Sequence, residues 1–213
     1  MSLFYTISRS CLKGLFTIAY SHKVYIPEGV VYPAGAIIAA NHASFLDPPL
    51  IAASWPEPIH FLARKTLFDV PLLKPLIEGL NAHPLSSQND TSSLKLACKL
   101  LDEGKKILVF PEGTRSRDGT LLPFKQGIGM LARKSGAAII PAYIEGSYKA
   151  WPKNKKYPTL FGAKTSCSFG KPILLSEFGE QDPKTLQQLI NQRLFDEIKF
   201  LSSRSSVDRA DAS

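Results

Sequence analysis

The sequence predicts one α/β domain, a mixed sheet flanked by helices, with an amphipathic helix at its N-terminus. Three observations carry this. Short apolar runs of strand type alternate with stretches of helical periodicity, the pattern of a sheet that is at least partly parallel. The 213 residues suffice for one sizeable core and not comfortably for two, and no linker or internal repeat divides them. Hydrophobic residues make up 44% and charged residues 21%, the balance of a folded chain rather than a disordered one. The expected organisation is a helix over 1–22, a catalytic-type domain over 23–202 and a frayed polar tail over 203–213.

The elements follow in order. In "MSLFYTISRSCLKGLFTIAY", Leu3, Phe4, Ile7, Cys11, Leu12, Leu15, Ile18 and Ala19 share one side at helical spacing, with Arg9 and Lys13 opposite. The charges interrupt the apolar stretch, unlike a secretory leader, and the ~20 apolar residues of a spanning helix are missing. A helix lying in a membrane interface and a helix packed on the domain both remain open. "KVYIPEGVVYPAG" reads as a short strand and turn, and "AIIAAN" as a buried strand. Asp47 before Pro48 is the pairing of an N-cap with a first helical position, so "PPLIAAS" opens a helix. "IHFLARK" is a strand and "PLLKPLIEGLN" a short helix. "NDTSSLKLACKLLDEG" has a polar start, helical periodicity and a terminal glycine. "KKILVFPEG" is a strand into a loop, and "FKQGIGMLARKSG" a helix ending on glycine. "AAIIPAYIEG" and "TSCSFGKPILL" are strands, and "PKTLQQLINQRLFDEIKFL" is a long last helix.

Net charge is +8, from 26 basic and 18 acidic residues, which points to a polyanionic neighbour: nucleic acid, an anionic membrane or a phosphorylated substrate. Between Gly146 and Ser176 there is no acid, while Lys149, Lys153, Lys155, Lys156, Lys164 and Lys171 alternate with Tyr148, Trp151, Tyr157 and Phe161. Lysines among rings suit an anionic membrane surface; stacking on bases and a plain solvated loop are the competing readings. Cys11, Cys98 and Cys167 have no ligand spacing or disulfide framework and are expected to be reduced core thiols. His22, His42, His60 and His83 form no metal-ligand cluster in sequence, so no metal is expected.

Two strand-end loops carry candidate chemistry. In "AANHASFLDPPL", His42 precedes the helix and Asp47 stands at its start. A turn between them would bring the carboxylate to one ring nitrogen and leave the other for a substrate, the arrangement of a general base. A structural strand-end histidine beside an ordinary cap is the plain alternative. In "FPEGTRSRDG", Gly113 permits close backbone approach, Thr114 and Ser116 offer hydroxyls, and Arg115 and Arg117 offer guanidinium forks, a composition suited to phosphate. Glu112 could hold Arg115 in place. The spacing is not that of a Walker loop.

"NHASFLD" with "FPEGTRS" resembles the glycerolipid acyltransferase superfamily, marked by N-H-x-x-x-x-D followed by F-P-E-G-T-R-S. "FLARKTLFDVP" resembles its second motif and "IIPAYIEG" its fourth, in order, over roughly residues 36 to 146. Length and the "LLPFKQG" after the third motif bring it nearest the 1-acylglycerol-3-phosphate acyltransferases. The resemblance implies a glycerol-3-phosphate acyltransferase-like fold, with His42 as base and Asp47 orienting it. It implies a substrate-binding set of Arg64, Lys65, Glu112, Gly113, Thr114, Arg115, Ser116 and Pro141, in which Arg115 and Lys65 with Arg64 bind the acceptor phosphate, Glu112 and Gly113 shape the loop, and Pro141 lines the acyl side. It further implies lysophosphatidic acid as acceptor, with acyl-carrier protein or coenzyme A carrying the acyl donor. No resident cofactor and no nucleic acid are expected, and the site would lie at the cytoplasmic face of a membrane, held peripherally or monotopically. Where relatives often carry a basic residue after the second motif, this chain has Ser86, Ser87 and Gln88. Another lysolipid or glycerol 3-phosphate as acceptor, and lipid hydrolysis with Ser44 as nucleophile, are the alternatives. The hydrolase lacks a G-x-S-x-G elbow.

Overall fold

Seven strands form one sheet among the residues that the computed structural model describes, which are 3–69, 71, 73–85 and 91–210, without the side chains of 64, 73, 76, 85, 91 and 205–210. They are β1 (Lys23–Tyr25), β2 (Ala36–Ala40), β3 (Ile59–Arg64), β4 (Ala82–Leu85), β5 (Lys106–Val109), β6 (Ala138–Glu145) and β7 (Ser166–Phe169), in spatial order β1-β7-β6-β2-β5-β3-β4. β2 to β6 run parallel, β7 is antiparallel to β6, and β1 is parallel to β7, so the sheet is mixed. The helices are α1 (Leu3–Tyr20), α2 (Asp47–Ser54), α3 (Leu73–Gly79), α4 (Thr91–Asp102), α5 (Gly127–Ser135), α6 (Ser147–Ala150) and α7 (Pro183–Ala210).

The unbroken apolar run of β2 has a physical reason. All five residues are buried because helices cover both faces of the sheet, as parallel strands require. Ile38 and Ala40 face a core made with Phe16, Leu50, Trp55 and Ile140. Ile37 and Ala39 face the opposite core, made with Leu101, Leu131, Ile190 and Leu194. The layers are therefore α1 and α2 on one side, the sheet, and α4, α5 and α7 on the other.

Two elements escaped the sequence pattern. β4 contains Pro84, which cannot donate to a ladder, and it is tolerated because β4 is the edge strand. α6 is one turn long, too short to show a period. The expected strand over 165–175 ends early, at Phe169, and Ile173 keeps only an isolated bridge to Ile139. α7 continues to Ala210, through the segment whose polar composition suggests a frayed tail.

α1 has two apolar faces. Its inner face buries Tyr5, Phe16, Ala19 and Tyr20, and Arg9 belongs to it, donating from Nη1 to the Trp55 carbonyl at 2.7 Å. The Tyr5 hydroxyl accepts from the Ile59 amide at 3.0 Å. The stripe read from the sequence divides between the faces: Leu3, Phe4, Ile7, Leu15 and Ile18 are exposed, Leu3 and Ile18 by 76% each, whereas Ala19 is buried and Leu12 packs against the core. Cys11 is also exposed, not in the core as expected; Cys167 is fully buried and Cys98 half-buried. Burial pushes the Cys167 thiol up to about 12, so it stays protonated. No helix of the described residues is long and apolar enough to cross a membrane.

Candidate active site

β2, β5 and β3 are neighbours and parallel, so the loops after Ala40, Val109 and Arg64 leave the same edge of the sheet. That edge collects the His42–Asp47 loop, the 110–119 loop and Lys65, as open α/β sheets do at the carboxyl ends of their strands.

Asp47 settles the question raised by its position before Pro48. It is the first residue of α2, but the cap position is Leu46, with no side-chain cap bond. The Asp47 carboxylate turns backward instead of capping its own helix. One oxygen, Oδ2, accepts from His42 Nδ1 at 2.8 Å and from the amides of Ala43 and Ser44 at 2.7 Å each. Asp47 is wholly buried, whereas 19% of the His42 side chain is exposed. A carboxylate can only accept, so Nδ1 carries the proton and Nε2 keeps its lone pair. The ring also stacks on Phe110, with centroids 3.9 Å apart and planes 13° apart. The Asp47 carboxylate, itself held by two backbone amides, and the Phe110 ring thus fix the imidazole, whose side chain stays 19% exposed.

The 110–119 loop is locked to the same turn. Glu112 is buried and accepts from the His42 amide at 2.7 Å through Oε1 and from the Leu122 amide at 3.1 Å through Oε2. Ser116 donates its amide to the His42 carbonyl at 2.8 Å, and its hydroxyl is used within the Asp118 turn. These contacts make Glu112 and Ser116 buried braces of the loop, and both Glu112 oxygens accept backbone amides. Burial pushes the Glu112 carboxyl up to about 7, with the two amide donors opposing. Gly113, at φ 68°, and Thr114 are exposed at the loop's crest. Arg115 lays its guanidinium 3.5 Å above the centre of the Phe45 ring, inside the same His42–Asp47 turn.

Other predicted residues lie elsewhere. Lys65 follows β3 and is exposed, while the side chain of Arg64 and residues Ser86, Ser87 and Gln88 lie outside those described. Pro141 sits in the middle of β6, buried on the α5–α7 face against Gly170, so the structure does not bring it to the loops. Ser44 is fully buried and donates its hydroxyl to the Trp151 carbonyl at 2.8 Å, so it is not presented as a nucleophile. Among the described residues no three His, Cys, Asp or Glu side chains gather as for a metal.

Some contributors were not singled out from sequence. Asn41 clamps β2 to β6 with two bonds, donating to the Ile144 carbonyl at 3.0 Å and accepting its amide at 2.7 Å. Phe45 packs on Trp151 at 5.0 Å, and Ser44 bridges Pro152, so the lysine-rich segment is fastened to the histidine turn. Trp151 therefore serves this joint, while Tyr157, Leu160 and Phe161 are the exposed apolar residues beyond it.

The family model described as Acyltransferase matches residues 19–145. The chain is similar to a 1-acyl-sn-glycerol-3-phosphate acyltransferase of Bacillus subtilis, 27% identical over 94% of this chain and 98% of that one. An enzyme of the same name from Limnanthes douglasii is 37% identical over 66% of this chain and 51% of its own length. The crystal structure of the 1-acyl-sn-glycerophosphate (LPA) acyltransferase PlsC from Thermotoga maritima superposes with a TM-score of 0.69, at 27% identity, covering 91% of this chain and 77% of that one.

Proposed function

The chain belongs to the acyltransferase family, and from that premise we propose that it acylates the free hydroxyl of 1-acyl-glycerol 3-phosphate, forming phosphatidate for phospholipid synthesis. The observation that carries this reading is the His42–Asp47 pair, 2.8 Å apart, with the carboxylate side chain sealed and the histidine side chain 19% exposed. Nε2 accepts the hydroxyl proton as the substrate oxygen attacks the thioester carbonyl. The C–O bond forms, the C–S bond breaks, and the departing thiolate takes the proton from the imidazolium. Thiolate leaves readily, so no acyl-enzyme is required. Asp47 stabilises the imidazolium and keeps the tautomer. A base so placed contributes about 10²–10⁴-fold; holding both substrates together supplies much of the rest.

Arg115, fixed on Phe45, and Lys65 attract the acceptor phosphate, with Gly113 and Thr114 allowing its approach. Pro141 stays in our reading as packing behind the sheet rather than as acyl lining. The donor is a thioester of acyl-carrier protein or coenzyme A, used as a substrate. Two surfaces support peripheral docking on an anionic membrane at its cytoplasmic face: the exposed stripe of α1, and Tyr157, Leu160 and Phe161 among exposed Lys153, Lys155 and Lys156. The second lies beside the histidine turn, close to where a lipid headgroup must enter.

The test presents purified protein with lysophosphatidate, glycerol 3-phosphate and other lysophospholipids, each with acyl-coenzyme A and acyl-carrier protein. Phosphatidate from lysophosphatidate is the expected product. Acyl transfer confined to another acceptor, or free fatty acid alone, overturns the proposal.

A further inference from the structure

The segment after the 110–119 loop folds back across it and is held at three points. Leu122 donates its amide to Glu112, Lys125 donates its amide to the Pro111 carbonyl at 2.9 Å, and Phe124 packs edge-on to Phe195 at 5.2 Å. Between these anchors the Lys125 side chain lies over Gly113. A Cβ placed on that glycine would sit 2.9 Å from each of Cδ, Cε and Nζ. The positive φ is what calls for glycine at position 113; the lysine passing over it is a flexible side chain that could shift to admit a Cβ.

The Lys125 ammonium has no ion-pair partner within 4 Å and no hydrogen-bond acceptor among the described residues. The acid nearest in the loop, Glu112, spends both oxygens on inward amides. An uncompensated cation is therefore set over the exposed crest of a loop whose composition suits phosphate. The sequence has Ser86, Ser87 and Gln88, and so no cation, where the family resemblance implies a basic residue.

We propose that Lys125 is a phosphate ligand of the acceptor, contributing with Arg115 the charge that the 86–88 segment lacks. This rests on the acyltransferase reading, and its test separates the two. Short-chain lysophosphatidate is titrated calorimetrically, below its micelle concentration, into wild type, Lys125→Met and Lys125→Arg. The same variants are then assayed for KM of acceptor and of donor. The Met variant keeps the stem over Gly113, and unchanged thermal unfolding confirms that it folds. Its affinity for lysophosphatidate should fall roughly tenfold or more, as expected for one charge-assisted contact. Acceptor KM should rise alongside while donor KM and kcat hold, and arginine should restore most of the loss. Equal binding by wild type and Lys125→Met, or a rise confined to donor KM, overturns the proposal. Binding by wild type without turnover sinks acyl transfer while leaving Lys125 as a phosphate ligand; no binding by wild type sinks both.

Discussion

His22 and His42 lie on the same chain in similar surroundings and end in opposite roles. His22 is buried between α1 and β1 and uses both ring nitrogens, with Nδ1 at 2.8 Å from the Thr165 hydroxyl and Nε2 at 2.8 Å from the Ser54 hydroxyl. Ser54 donates its own proton to the Leu50 carbonyl, so His22 donates from Nε2 and accepts at Nδ1. Burial holds this imidazole down to about 4, neutral and fully committed. His42 commits one nitrogen to a carboxylate and leaves the other. His60 and His83 show a third arrangement, Nδ1 and Nε2 at 2.9 Å with near-parallel rings, and desolvation lowers both. What sets His42 apart as the proposed base is a ring nitrogen left unspent on a partly exposed side chain, not burial or hydrogen bonding as such.

The contrast can be broken most severely at His42. Replacing it with alanine should lower kcat by about 10²–10⁴-fold, while circular dichroism shows the fold retained because Asp47 keeps its two amide donors. Folded His42→Ala protein with near-normal turnover would refute the assignment. Asp47→Asn should come next, with kcat falling by roughly 10²-fold or more as the ring loses its carboxylate partner and tautomer control.

His22→Ala should do the reverse. It leaves the buried Thr165 hydroxyl without its histidine partner and removes one of the two partners of the Ser54 hydroxyl, costing about 2 kcal/mol and lowering Tm by roughly 4–8 °C, while activity per folded molecule stays near wild type. The pH dependence sharpens the same point. Unfolded His22 binds a proton near the usual 6.5, but folded His22 does so only near 4. Between those values the unfolded state holds the extra proton, so the stability due to a neutral His22 is complete above about 6.5 and lost as pH falls towards 4. Denaturant melts of wild type minus His22→Gln isolate this slope from Glu112, whose raised value pulls the other way. A difference that does not shrink on acidification refutes the account. The smallest effect on turnover is expected from Ser44→Ala: stability falls by about 2 kcal/mol with the lost bonds to the Trp151 carbonyl and from the Leu46 amide, and turnover falls less than tenfold. Loss of all turnover would revive the hydrolase.

Much of this was legible in the order of residues. β2 could be read because a strand covered on both faces must be apolar throughout. The His42–Asp47 pair could be suspected because both stand where a strand gives way to a helix. Asp47 was nonetheless read as a helix cap, since local pattern cannot tell which amides a carboxylate will face. Glu112 and Ser116 looked like ligand groups for the same reason: polar residues in a polar loop carry no sign of whether they point in or out. The apolar stripe of α1 is only partly what its spacing suggests: Leu12 and Ala19 turn inward with Tyr5 and Phe16, and Arg9, expected opposite the stripe, joins them in holding the helix to the domain.

What the sequence determined alone was the α/β alternation, the strand-end location of the candidate chemistry and the family motifs, because period and local turn chemistry are short-range properties. Tertiary structure decided which nitrogen of which histidine stays free, which acids are braces, and that Lys125 lies over Gly113. Those outcomes depend on contacts such as His42 to Glu112 and Ser44 to Trp151, between residues far apart in the chain. Only the packing of parallel strands side by side brings such residues within hydrogen-bonding reach.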